Sequence, residues 1–366
     1  MEEMTGKAAE YEEPRDVETE YEKCEACGSN MKYDPKSNML YCEHCGTKRS
    51  LGEEEQAAEL AIEDALRAAE ENGWAETTVF RCENCGAKVA LAKGEIATSC
   101  PFCGTAQVVE LDEMAGLKPN AVLPFRLTAE DSNEACKKWA KKKIYAPRAF
   151  KKNLKAENMH GVYIPCFTFD SRTSSRYYGR IGKRHTRTVG SGKNRRTETY
   201  IVWRNISGFY DHAFDDVTVT AGSKVTQKDL GKMAPFDSNN SKAYDGKYLL
   251  GFSSYCYEKD IVQCWSEAKG TMDAALRQMI LSQYSYDLVD YLNVSTTHAD
   301  VTYKYVLLPV YAGHFGFKKK NYNFFVNGTN GKVTGKTPVA IWKVALTVLA
   351  AAAALVGLVY LVMQFA

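Results

Sequence analysis

Hydrophobic and polar positions change texture several times along this chain. Residues 1–23 carry almost no large aliphatic side chain and read as a mobile acidic tail. From Glu53 to Glu71, Leu60, Ile62, Ala65, Leu66 and Ala69 recur at roughly helical spacing. They follow glutamates placed where a helix dipole favours negative charge, and Asn72-Gly73 supplies a stop, so the spacing predicts an acidic linker helix. Thr128-x-x-Asp131 makes a capping box for a helix to about Lys143. From Tyr163 onward short runs of Tyr, Phe, Val, Ile and Thr between glycines predict strands. A second helix is predicted within Glu267–Leu292, with Met272, Leu276, Met279, Ile280 and Leu288 as its stripe. Strands return at Tyr303–Leu308 and Tyr322–Val326, the latter ending in an Asn327-Gly328 turn. A faint duplication shows as well. Pro124-Phe125, a helix and Tyr163-Ile164-Pro165 are echoed by Pro235-Phe236, a helix and Leu307-Leu308-Pro309.

The last texture is apolar throughout. Val344–Ala366 holds no charge, and eleven of its residues are Leu, Val or Phe. As a helix it would be about 34 Å long against a hydrocarbon core of about 30 Å. Those side chains favour insertion by about 3–7 kcal/mol. Residues 301–343 carry Lys304, Lys318, Lys319, Lys320, Lys332, Lys336 and Lys343 with no acid, and Trp342 stands where an interfacial aromatic belongs. Positive flanks stay in the cytoplasm, so a single pass with a cytoplasmic N-terminus is expected.

Composition narrows the class. With 366 residues, 45% apolar and 25% charged, the chain has enough for two or three domains and is neither a disordered chain, a collagen-like fibre nor a small disulfide scaffold. The net charge of +2 hides an asymmetry. Residues 1–116 hold 11 Lys/Arg against 26 Asp/Glu, and residues 117–366 hold 36 against 19. The two halves are therefore expected to face different partners.

Eight of the twelve cysteines form Cys-x-x-Cys pairs: Cys24/Cys27, Cys42/Cys45, Cys82/Cys85 and Cys100/Cys103. The N-terminus opens acidic and without an apolar run, so these cysteines are expected in a reducing cytoplasm, where such pairs bind metal. The modules 24–47 and 82–105 both read Cys-x2-Cys-x14-Cys-x2-Cys, with Gly after each second cysteine and Thr closing. This is an internal repeat. Two tight turns brought together by a short hairpin present four thiolates to a tetrahedral ion, and zinc is the expected cofactor, one structural ion per module. Closed four-cysteine sites leave no open coordination position for catalysis. His44 is superfluous as a ligand and expected to be exposed, while Cys136, Cys166, Cys256 and Cys264 are expected to be buried thiols.

Residues 171–204 carry ten Lys/Arg against Glu198, interleaved with Tyr177, Tyr178, Ile181, Tyr200, Val202 and Trp203, and predict a twisted hairpin turning near Gly190–Asn194. Its expected partner is anionic lipid headgroups or an unidentified protein, with nucleic acid as the alternative. A second basic run, 137–155, holds nine Lys/Arg. Gly335-Lys336-Thr337 imitates a phosphate-binding loop, but that loop needs Gly at position 330, which is Asn, and Pro338 stands where its helix should begin. No metalloprotease, nucleophile-elbow or dinucleotide motif is present.

The two CxxCG modules lead into GLKPNAVLPFRLTAEDSNEACKKWAKKKIYAPRAF, GVYIPCFTFD, PFD…YLLGF and YKYVLLPVY…YNFFVNGTNGKVTGKTP before the apolar tail. The whole resembles the bacterial membrane-associated zinc-ribbon family, described as containing a transcription-factor-IIB-type zinc ribbon. Cys166 stands where that family more often has Trp. The resemblance implies the eight metal cysteines and no active site. Some relatives carry a helicase-like label, which this chain, lacking an ATP-binding motif, does not support.

The expected organisation is an α+β chain: an acidic tail (1–23), zinc ribbon 1 (24–47), an acidic helical linker (48–73), zinc ribbon 2 (74–116), a cytoplasmic β-rich α+β domain (117–337) and a transmembrane anchor (338–366) meeting membrane lipid through Val344–Ala366. The expected function is binding or scaffolding at the membrane. A membrane-tethered nucleic-acid-binding protein is the alternative, and no residue is named as catalytic.

Overall fold

A computed structural model gives the fold and describes residues 22–52, 55–68, 77–82, 84–92, 100–102, 108–111, 117, 119–152, 159–192, 195–317 and 320–365. The tail to residue 21, the Asn72-Gly73 stop and Cys103 lie outside the described residues.

The first cysteine module folds as its own three-stranded antiparallel sheet of β1 (Met31–Asp34), β2 (Met39–Cys42) and β3 (Lys48–Ser50). Met31, Tyr33 and Leu40 alternate inward with the period of a strand. The linker departs from the helix expected over Glu53–Glu71. Gln56 bridges to Lys242, and β4 (Leu60–Ala61) pairs with Thr302 and Tyr303 before α1 (Ile62–Ala68) begins. An isolated acidic helix has little apolar face to bury, whereas a neighbouring sheet edge offers backbone partners at once.

In the second module β5 (Thr77–Cys82) pairs with β6 (Lys88–Ala92) and β7 (Val108–Leu111). There follow β8 (Ala121–Val122), α2 (Ala129–Lys141), α3 (Arg148–Lys152), β9 (Met159–Val189), β10 (Arg196–Thr220) and α4 (Gln227–Met233). The chain continues through β11 (Lys242–Ala243), β12 (Ser253–Tyr255), α5 (Ile261–Ser282), β13 (Leu288–Phe317), β14 (Lys320–Asn327), β15 (Val333–Gly335) and α6 (Ile341–Phe365). The Thr128/Asp131 capping box starts α2 as the sequence predicts. Its counterpart in α5, Asp260 with Gln263, starts that helix earlier than Glu267. Leu288 leaves the predicted helical stripe and opens β13 instead.

The sheet order β11-β8-β13-β9-β12-β6 has an approximate twofold axis between β13 and β9. Ile164 and Leu308 face each other across that axis. β8 runs parallel to β13, β12 runs parallel to β9, and β11 and β6 flank them antiparallel. The hydrogen bonds repeat in detail. Ala221 N–H donates to Pro165 O (3.0 Å) as Gly328 N–H donates to Pro309 O (2.9 Å). Glu258 and Lys259 N–H donate to Ala221 O (2.8 and 3.0 Å) as Arg126 and Leu127 N–H donate to Gly328 O (3.0 and 2.9 Å). The duplication is therefore real, with its first landmark displaced: the counterpart of Phe125 is Tyr257, not Phe236.

Alternation along β9 and β13 builds two cores on opposite faces. Tyr163, Phe167, Phe169, Tyr305 and Leu307 face α2, α5 and the first module. Val162, Ile164, Cys166, Val306 and Leu308 face α4 and the second module.

Beyond this core, β9, β10 and the first half of β13 continue as a three-stranded arm. From residue 170 to its tip at 189 the arm extends about 60 Å at about 3.3 Å per residue. Bulges at Phe214/Val217 and Ala299/Thr302 mark where it leaves the core. Asp216 and Asp300 sit there at φ 52° and 51°, a left-handed conformation that aspartate tolerates better than most residues. α5 supports one arm face through Ile280 with Tyr177, Ile181, Ile206 and Leu292.

α6 is long and apolar enough to cross a membrane. Ile341–Gln364 has a mean hydropathy of 2.5, and none of it is buried against the rest of the chain.

Candidate metal centres and a basic arm

In the first module each Cys-x-x-Cys pair ends in a glycine at positive φ, Gly28 at 73° and Gly46 at 78°. Their N–H groups turn back to Cys24 O (2.7 Å) and Cys42 O (2.9 Å), which folds the backbone under the thiols. The sulfurs of Cys24, Cys27, Cys42 and Cys45 consequently lie within 4.8 Å of one another. Cys24 to Cys45 is 3.4 Å and Cys27 to Cys42 is 3.5 Å. Four thiolates around one ion at about 2.3 Å place neighbouring sulfurs about 3.8 Å apart, so the cluster fits a tetrahedral metal. The Thr47 hydroxyl, 3.1 Å from Cys45 Sγ, is the main cause holding that thiol down to about 6. Cys42 in the same cluster is drawn down most by the Cys45 backbone hydrogen bond, yet burial and the hydrogen bonds from the Cys27 and Cys45 side chains push it up to about 11. His44 is exposed, as expected.

The second module repeats the turn. Gly86 has φ 70°, and its N–H donates to Cys82 O (2.7 Å). Cys82, Cys85 and Cys100 form a second group able to hold an ion, with Cys85 and Cys100 sulfurs 3.6 Å apart. The fourth expected ligand, Cys103, falls outside the described residues.

The two groups are seated differently. Tyr33 helps seat the first: its one hydroxyl proton is shared between Asn38 Oδ1 (2.8 Å) and Phe125 O (3.2 Å), and its ring meets Tyr248 and Phe252. The second is woven into the main sheet, β6 pairing with β12 and Phe102 packing on Tyr255 at 5.1 Å.

Cys136, Cys166, Cys256 and Cys264 are buried thiols, and none joins a metal-competent group among the described residues. Burial alone pushes the Cys136 thiol up to about 12.

A polar centre lies at the base of the arm. Lys304, 4% exposed, reaches Asp216 Oδ1 (2.9 Å) and Glu59 Oε1 (3.3 Å), so it is no part of the basic membrane flank that the sequence predicts. Burial works against its charge, but Asp216 and Glu59 outweigh burial and hold its ammonium above its ordinary range. Asp170 accepts from Asp216 N–H (2.6 Å), and burial, then neighbouring acids, pushes its carboxyl up to about 6. Glu59, Asp170 and Asp215 have the spacing of a cation site, with Lys304 already supplying positive charge beside them. No sequence motif announces this centre, because its members come from the linker, β9, the β10 bulge and β13.

The arm's second face is open. Arg176 lies over Phe209 (6.0 Å), Arg180 over Trp203 (5.3 Å), and Tyr178 meets Tyr291 edge-on (6.4 Å). Phe209 is 74% exposed. On the supported face a cavity of about 230 Å³ collects Lys183, His185 and Arg204 beside Ser285. The predicted hairpin of 171–204 is thus the outer part of a longer structure. The Gly-Lys-Thr decoy lies in the return through β15, with Asn327 Oδ1 accepting from Thr329 and Asn330 N–H.

No family model matches the chain, and no solved structure matches it. A curated relative, the uncharacterized protein YdjG of Bacillus subtilis (strain 168), is 28% identical over 328 residues, covering 88% of this chain and 91% of that protein.

Proposed function

We propose that this is a membrane-anchored binding or scaffolding protein of the cytoplasmic face. In this reading both cysteine groups are structural zinc ribbons, as the resemblance to the membrane-associated zinc-ribbon family implies, and α6 is the anchor. The observation that carries the reading is the open arm face: a rigid, supported strip of arginines stacked on aromatics, on a chain ending in an uncovered apolar helix. Guanidinium groups stacked on rings present their N–H edges to carboxylate or phosphate, and Arg180 already meets Asp290 in this way (3.6 Å), so the partner is anionic. Exposed Trp203, Phe209 and Tyr178 also suit base stacking, which keeps a nucleic-acid partner as the second reading.

The test is cross-linking pull-down of the full chain from native membranes, beside a variant with Arg176, Arg180 and Arg184 reversed to Glu. A protein captured by the native chain and lost in the variant supports the scaffold. Captured nucleic acid, whose affinity falls linearly in log salt, moves the assignment to the second reading. Equal capture by both chains removes the arm from the function.

A further inference from the structure

We propose that the corner between α2 and α3 is a second membrane contact, seating the body on an anionic lipid surface through Ile144, Tyr145 and the lysines around them. This rests on reading α6 as a membrane span.

The argument starts from how α6 is held. The Lys343 ammonium donates to Ile144 O (3.0 Å) and Ala146 O (2.7 Å), and Ala340 N–H donates to Tyr145 O (2.8 Å). The corner is clamped to the first turn of the helix, and the charge-free stretch begins at the next residue, Val344. Whatever touches residues 340–343 therefore lies at the boundary between headgroups and hydrocarbon. Ile144 is 64% exposed there, beside Ile341 at 80% and Trp342 at 64%. Contiguous large apolar side chains of this kind mark an interaction surface.

The charges agree. Lys137, Lys138, Lys141, Lys142, Lys143 and Arg148 are exposed, and no acid occurs between residues 137 and 155. Favourable placement at the C-terminus of α2 accounts for Lys138 and Lys141. It does not account for the lysines beyond that turn or for an uncovered isoleucine at the tip. Tyrosine at headgroup depth, an aliphatic wedge and ammonium groups around both are the chemistry of an interfacial anchor on anionic lipid.

The fold separates this corner from the other basic feature. α2 packs on β9, β14 and β15; β14 pairs with the end of β13 that lies opposite the start of β9, and β15 pairs with β14. α5, its counterpart across the twofold axis, runs the opposite way along the arm. The arm therefore projects away from the membrane entry and leaves lipid contact to the corner.

The experiment uses the full chain in nanodiscs, with the photo-reactive amino acid benzoylphenylalanine replacing Ile144, Phe209 or Leu355 in turn, and metal content as the check on folding. Lipid adducts are expected from positions 144 and 355 and not from 209. An adduct at 355 with none at 144 overturns the corner contact while the span stands. No adduct at 355 overturns the span itself. An adduct at 209 equal to that at 144 overturns the assignment of lipid contact to the corner. Acetylation of native lysines, read by mass spectrometry, tests the charge: Lys141, Lys142 and Lys143 should react about fivefold more slowly on phosphatidylglycerol than on phosphatidylcholine discs, with Lys183 on the arm unchanged. Equal rates on both lipids overturn the anionic preference.

Discussion

The two cysteine modules share one motif and one backbone turn, yet they belong to the molecule in different ways. The first is a three-stranded sheet of its own that adds no strand to the main sheet and meets the body through side chains, Met31, Tyr33 and Leu40 entering the core beside Phe125 and Tyr163. The second donates β6 to the main sheet, where Cys256 N–H donates to Lys88 O (3.0 Å) and Cys82 and Cys100 share a core with Ile164 and Leu308. A metal knuckle folds locally because its ligands are close in sequence. Whether it is an appendage or a structural member depends on which strand lies next to it. The seam expected between residues 116 and 117 is accordingly no break in the sheet.

The largest expected effect breaks this comparison at the metals. Structural zinc contributes about 10–16 kcal/mol in small modules. On the proposed reading of one zinc ion per module, Cys82→Ser or Cys100→Ser should lose one ion and lower the unfolding midpoint of the whole body. Cys24→Ser or Cys42→Ser should lose the other and leave the main transition in place. Metal analysis with thermal unfolding of the full chain in detergent reads both. Iron in place of zinc, or the same midpoint loss from either module, would sink the contrast.

A smaller effect sharpens it at the seats. Tyr33→Ala should cost about 3–5 kcal/mol and appear as proteolysis confined to residues 22–52. Tyr33→Phe, which keeps the ring and loses the hydroxyl's bonds, should cost about 1 kcal/mol. Phe102→Ala should cost as much as Tyr33→Ala, with the loss on the main transition.

These differences show what the sequence made legible. Local patterns were readable: the knuckle glycines, the Thr128 cap, the hairpin around 190 and the apolar tail each depend on neighbours a few residues away. Pairing across long separations was not. Residues 60 and 61 looked helical because the partner that extends them, Thr302 with Tyr303, lies in β13. Leu288 fitted a helical stripe by spacing alone. Tyr257 and Phe125 share a place in the sheet and little sequence, so no local pattern pairs them. Nothing local distinguishes Lys304, buried beside Asp216, from the lysines that flank the apolar tail.

The linker between the modules offers the next test, since Glu59 ties it to the arm base. Lys304→Met would leave Asp216, only 11% exposed, without its cation and should cost about 3 kcal/mol. Adding Asp216→Asn should recover part of that loss, because the uncompensated charge goes with it. Denaturant titration of four chains, native, Lys304→Met, Asp216→Asn and the double variant, checks this. Additive losses would mean that the pair is uncoupled and that the linker is held by backbone pairing alone.

The smallest effect lies in the same centre and has a defined sign. Asp170 is pushed up to about 6 from an ordinary 3.8, so the folded state binds its proton more tightly than the unfolded state. Stability from this group is therefore complete below about pH 4 and falls as pH rises through about 6. The carboxyl is only partly buried, and screening reduces the expected fall to about 1 kcal/mol. Glu59, whose hydrogen bond with Asp170 is the main cause lowering its own carboxyl, loses stability in the opposite direction, on acidification through its depressed value. The two slopes thus separate along the pH axis. Asp170→Asn keeps an oxygen for Asp216 N–H and cannot ionise, so it should remove the decline between pH 4 and 6 and leave the acid limb in place. Denaturation of both chains across pH 3–8 reads the difference. A variant that follows the native curve throughout would show that Asp170 ionises freely, and that the arm base is held by its bulges and Lys304 alone.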